Sequence, residues 1–278
     1  MKAKKRLRKR AKMCNGKKKI GKKTFLSLFS VFAVLLLALE LFNFIYSIDN
    51  IEYELVYGTL SRVFGAAICL LLMKYCSFDY LLSNKGIDAR ALLLVLPCLL
   101  ISINNFPFVP VLSNGVALEA RWYLVLLYAL QCLFVGIFEE TAFRGCVFML
   151  MLEKRSKTRK DIFFSIVFSS LIFGAIHIVN LFVGAGIVPV VLQLGYSFLI
   201  GAMCSVALLV TQSLWVPVIL HALFNFAGGV IPTFVDNFKI WTVGEIVLTV
   251  VVSLIVAIYV VLLFFKFDLE KMQRIIKK

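Results

Sequence analysis

The sequence predicts an all-α, polytopic membrane protein of about eight transmembrane helices. Of 278 residues, 62% are hydrophobic and only 16% charged, and the mean hydropathy is +0.96. Soluble domains do not have such a composition. The apolar residues fall into runs of the ~20 residues that a membrane helix needs, and none of the runs shows the strict alternation of a barrel strand.

Taken in order, residues 1–23 carry 13 Lys and Arg and no acid, leaving 17 basic against 15 acidic residues in the rest of the chain. A basic tail directly before an apolar run reads as a cytoplasmic anchor touching anionic membrane lipid, not as a nucleic-acid-binding arm. The run 24–46 is too long for a signal-peptide core and has no small-x-small site after it, so it is taken as the first span. Further spans are expected at 55–75, 91–112, 122–151, 162–182, 187–211, 214–233 and 241–265. The third is interrupted: Pro97, Pro107 and Pro110, with Asn104 and Asn105, break it into a shorter core and an irregular exit.

With the N-terminus inside, "EKRSKTRKD" and "KMQRIIKK" fall in the cytoplasm and "SIDNIEYE" outside, as the positive-inside rule wants. Both termini are therefore expected to be cytoplasmic. The chain divides into a basic tail (1–23), N-terminal spans (24–120), a motif-bearing core (121–233), and a last span with a second basic tail (234–278). Cys14, Cys69, Cys76, Cys98, Cys132, Cys146 and Cys204 are scattered and form no C-x-x-C pair, so they read as free thiols. Glu40, Arg62 and Glu245 are expected near span ends, snorkelling. Trp122, Trp215 and Trp241 near span starts read as interfacial anchors.

One stretch resists a purely structural reading. "FEETAFRG", Phe138 to Gly145, puts two carboxylates and an arginine inside the fourth span, where each ionised group costs ~2.5–3.5 kcal/mol on insertion scales. On a helix, Glu140 and Arg144 share a face in the favourable order, so Arg144 is expected to neutralise Glu140. Glu139 points elsewhere and has no local partner. A carboxylate kept from water without a counter-ion suits a general base.

The two histidines of the chain both lie in apolar runs: His177 in "FGAIHIVN", with Phe173 and Asn180 about a turn away on either side, and His221 in "HALFN", a turn before Asn225. Intramembrane polar groups face one another, which points to a shared site. Counted from the basic loop, Glu140 and His177 differ by only ~6 Å in depth on antiparallel neighbours at 1.5 Å per residue. His221 lies nearer its helix end and fits less well unless that helix starts earlier.

Three mechanisms can use these residues. In metal-free hydrolysis, Glu139 and His177 hold and deprotonate a water while His221 and Asn225 donate to the oxyanion. In a zinc enzyme, His177, His221 and Glu139 are ligands. In a transporter or immunity scaffold, the same groups carry protons or solutes without hydrolysis.

"EETAFRG", "FGAIH" and "HALFN" also match, in order, the E-E-x-x-x-R, F-x-x-x-H and H-x-x-x-N motifs of the CPBP family of intramembrane endopeptidases, which includes type II CAAX prenyl proteases and bacteriocin-processing proteins. The resemblance spans roughly Arg121 to Pro232. It implies an enzyme of about eight spans that cleaves prenylated CAAX-type proteins or small peptide precursors. By motif position Glu139 is the water-activating residue, Glu140 and Arg144 its supporting pair, His177 the second water-holding group, and His221 with Asn225 the oxyanion side. No cofactor is expected, with zinc as the alternative. The metal-free route is favoured because Arg144 already engages Glu140 and because Asn225 suits an oxyanion better than zinc.

Overall fold

The computed structural model describes residues 50–277 except 85–86, 115, 117, 119, 183, 237 and 239–241, together with five isolated helical positions between 27 and 38. The basic tail 1–23, the rest of the first span 24–46, Glu40, Cys14 and Trp241 lie outside the described residues. All regular structure among those residues is helical: α1 (Ile51–Tyr75), α2 (Ala89–Asn104), α3 (Phe108–Asn114), α4 (Trp122–Lys154), α5 (Arg159–Leu181), α6 (Ile187–Thr211), α7 (Trp215–Phe234), α8 (Val243–Lys266) and α9 (Leu269–Lys277). Of these, α1, α4, α5, α6, α7 and α8 are long and apolar enough to cross a membrane. The chain is an integral, multi-pass membrane protein.

Side-chain caps set several of the helix starts. Asn50 Oδ1 accepts from the Glu52 amide at 2.9 Å, Thr158 and Asp161 form a reciprocal capping box, and Thr242 caps α8. Within the spans, the hydroxyls of Thr59, Ser165, Ser170, Ser205 and Thr211 donate to carbonyls four residues back. That satisfies polar atoms in apolar surroundings.

The expected third span is replaced by the short helices α2 and α3. Pro97 sits within a 3₁₀ turn at Leu96–Cys98, and Pro107 follows the end of α2. Because proline supplies no backbone N–H, the chain tightens and then turns instead of crossing in one rod.

The core centres on α6, almost continuously buried from Ile200 to Thr211, with α5 and α7 against it. On the other side of the site α4 packs between α1 and α7. Close approach is visible at two glycines: a Cβ on Gly136 would lie 2.9 Å from the Val218 carbonyl oxygen, and one on Gly174 3.1 Å from that of Leu194. Small residues at these points let the backbones meet.

At the end carrying the basic loops, the chain is layered. The turn before α7 is buried beneath the 3₁₀ turn Asp79–Leu82, whose carbonyls at Leu81 and Leu82 accept from the Leu214 amide and Trp215 Nε1, both at 2.9 Å. Trp215 is thus a loop clamp, whereas Trp122 opens α4 and is exposed. Above this, the expected basic tail is the docked helix α9. It buries Met272 and Ile275 and accepts a hydrogen bond at the Ile275 carbonyl from Tyr80 Oη at 2.5 Å. Burial pushes the Tyr80 hydroxyl above its ordinary pKa. Gln273 Nε2 donates to Ser156 O and Lys157 O at 2.8 and 3.0 Å, tying α9 to the loop between α4 and α5.

Two charged residues depart from the snorkelling expectation. Arg62 is mid-helix because α1 begins earlier than the sequence suggests, and its guanidinium stands 5.7 Å over the Phe138 ring. Glu245 is buried, with Oε2 accepting from the Val109 amide at 3.1 Å. It fastens α8 to α3.

Candidate active site

The two glutamates stand where α4 changes character. The helix is α-helical to Glu140, widens into π-helical turns over Thr141–Phe148, and resumes as an α-helix through Lys154. Such turns are rare inside helices and concentrate at functional sites.

Glu140 is fully buried, with Oε1 2.9 Å from Arg144 Nη1 and 2.7 Å from His221 Nδ1. The first contact is the expected ion pair, made by proximity without hydrogen-bond alignment: Arg144 Nη1 and Nη2 and Glu140 Oε2 have no hydrogen-bond partner among the described residues. Arg144 instead lies 4.4 Å over the face of Phe173, a cation–π contact in an apolar setting. Phe173 also meets the rings of His177 and His221 edge-on, at 5.5 and 5.8 Å. One phenyl ring therefore spaces three site residues.

Glu139 is the carboxylate that reaches open space. Its side chain is 16% exposed against 0% for Glu140, and Oε2 lies 3.5 Å from His221 Nε2. His221 thus stands between the two acids.

Glu139, His177, His221 and Asn225 line one cavity of ≈ 160 Å³, together with Gln193 and Tyr196. Glu140 and Arg144 sit behind it. The depth mismatch of His221 disappears even though α7 starts at Trp215, a residue later than the sequence suggests. Because the turn before α7 lies under the loop layer, its first turns are deeper than a span end would be.

Asn225 is seated by neighbours that sequence reasoning did not connect to it. Tyr128 Oη donates to the Asn225 carbonyl at 3.3 Å, and Asn105 Nδ2 to the Phe224 carbonyl at 2.7 Å. A Cβ at Gly228 or Gly229 would run into these two side chains. Gln193 was missed as well: its amide joins Asn180 and His177. The only signal for it was a lone carboxamide in the apolar run "VVLQLGYS".

Among the described residues, no three His, Cys, Asp or Glu side chains form a group that could hold a metal ion. His221 also has one ring nitrogen engaged by Glu140. Cys69, Cys98, Cys132, Cys146 and Cys204 are buried free thiols and Cys76 is half-buried.

Residues 121–227 match the family model described as type II CAAX prenyl endopeptidase Rce1-like. The matched segment contains all three motifs, so the resemblance they carry holds over it. No curated protein and no solved structure matches the chain.

Proposed function

With residues 121–227 of the CAAX-type endopeptidase family, we propose that this chain hydrolyses a peptide bond inside the membrane, using a water held by Glu139 and His177. The observation that carries the reading is one cavity lined by Glu139, both histidines and Asn225, with the Arg144–Glu140 pair buried behind it.

Glu139 takes a proton from the water, whose oxygen attacks the scissile carbonyl. The Asn225 amide donates to the oxyanion that forms. His221 joins it as a donor when its Nε2 carries a proton, a state in which its charge, with that of Arg144, balances the two glutamates. Collapse of the intermediate breaks the C–N bond, and the proton taken from water passes to the leaving amine. Glu140 holds the His221 ring, and Arg144 holds Glu140.

Both termini are placed in the cytoplasm on this reading, with the loop layer and α9 on that side. The substrate is a prenylated CAAX-type protein or a small peptide precursor in contact with lipid. The alternative chemistry, zinc on His177, His221 and Glu139, would need these three side chains to close into a group that they do not form among the described residues. It requires about one metal per active chain and loss of cleavage to chelator, whereas the glutamate route predicts activity that survives prolonged chelation.

The test is to express wild type, Glu139→Gln and Asn225→Ala in membranes and compare peptide termini by mass spectrometry. A fragment made only by wild type supports the endopeptidase. Identical profiles, where the host's small membrane peptides are detectable, favour a non-catalytic transporter or immunity scaffold.

A further inference from the structure

Gln193 lies near the start of α6, outside all three motifs, and its side-chain amide bridges two residues of α5. Asn180 Nδ2 donates to Gln193 Oε1 at 2.7 Å, and Gln193 Nε2 lies 3.4 Å from His177 Nδ1. We propose that Gln193 is a positioning residue that fixes the ring proton of His177 on Nε2. The consequence for catalysis rests on the hydrolytic reading above; the tautomer itself does not.

A carboxamide has an accepting end and a donating end. Asn180 occupies the accepting end of Gln193, so the donating end faces His177. Two N–H groups cannot satisfy each other, so Nδ1 of His177 is the acceptor. A neutral imidazole holds one proton, which is then on Nε2. Phe173, edge-on at 5.5 Å, packs against the same ring and limits its rotation.

This assigns a direction to the water site. With its proton on Nε2, His177 can donate to the oxygen of a water in the cavity that it lines and cannot remove the water's proton. Glu139 is left as the base. The roles then follow from a hydrogen-bond chain that begins at Asn180, rather than from residue type. The same chain ties the end of α5 to the first turns of α6 across the connection at 182–186.

The chain has only two histidines, which makes the tautomer directly readable. Full-length protein labelled with ¹⁵N-histidine in membranes, with His177→Asn to assign the signals, should show a protonated Nε2 and a bare Nδ1 for His177. Asn180→Asp offers Gln193 an acceptor only, so the amide must turn and present Oε1 to His177. Gln193→Glu presents an acceptor directly. Each should move the proton to Nδ1 or add a second one, and lower cleavage ~10²-fold, the scale of a lost acid–base geometry. If one variant does not fold, the other and the wild-type spectrum still decide. A wild-type His177 protonated on Nδ1, or a ring unchanged by both substitutions, overturns the assignment. The expected spectra in a protein that cleaves nothing would support the tautomer and sink the hydrolytic reading instead.

Discussion

His221 Nδ1 lies 2.7 Å from Oε1 of Glu140, the same oxygen that Arg144 approaches at 2.9 Å. This contact couples two motifs that are 81 residues apart in the chain. It orients the imidazole so that Nε2 faces Glu139 at 3.5 Å. Glu140 therefore acts on the chemistry through a ring that it holds, and its loss should look different from the loss of Glu139.

Glu139→Gln should abolish cleavage and leave the protein folded in membranes, since Glu139 is the partly exposed acid at the cavity. Glu140→Gln leaves Arg144 buried without its counter-charge, and breaking a buried pair in this way costs about 3–5 kcal/mol. Thermal unfolding of matched detergent preparations separates the two. Full cleavage by purified Glu139→Gln would remove it from the role of base.

Phe173→Leu keeps most of the apolar volume and removes the ring that Arg144, His177 and His221 share. A desolvated cation–π contact is worth about 2 kcal/mol, so unfolding should shift by roughly that amount. Cleavage should fall as well, because both histidines lose a wall. A variant with wild-type stability and activity would mean that the ring is only filler.

The spans and the polar triplet were legible because membrane insertion makes each polar residue conspicuous against an apolar background. All six span-length helices among the described residues begin and end within about four residues of the apolar runs. What stayed hidden depends on tertiary contact. The π-helical turns after Glu140 leave no mark in a pattern of uniformly apolar residues. α9 read as a tail because its charges dominate a short segment, whereas Met272 and Ile275 only acquire meaning once Tyr80 and Gln212 are placed beside it. Gln193 and Asn105 reach the site from other elements, and no spacing along the chain links them to His177 or Asn225.

The docking of α9 carries its own pH dependence. Asp268 Oδ1 accepts from the Lys271 amide at 2.9 Å, and that hydrogen bond, with lesser help from the Glu270 amide and nearby Lys271 and Arg274, holds its carboxyl below the ordinary value of 3.8. A depressed folded-state pKa gives stability that is complete above the unfolded value and is lost as pH falls through the folded one. Hydrogen exchange across Leu269–Lys277, corrected for intrinsic rates, should therefore lose protection below about pH 4. Asp268→Asn should flatten this dependence, and an unchanged profile would place the acid sensitivity elsewhere.

Asn225 gives the cleanest separation of hydrolysis from scaffolding. Its carbonyl is held by Tyr128 and its neighbour's by Asn105, so the helix turn keeps its position when the side chain is shortened. His221→Ala lacks this advantage, because it also strips Glu140 of a partner and changes stability and turnover together. On the hydrolytic reading, the Asn225 amide acts on charge that develops only in the transition state, so Asn225→Ala should lower kcat ~10²–10³-fold, as loss of an oxyanion donor does, with little change in KM. Steady-state kinetics on the fragment-yielding substrate would read this split. A rise in KM at constant kcat would make Asn225 a ground-state binding residue and move the oxyanion site to other donors in the cavity.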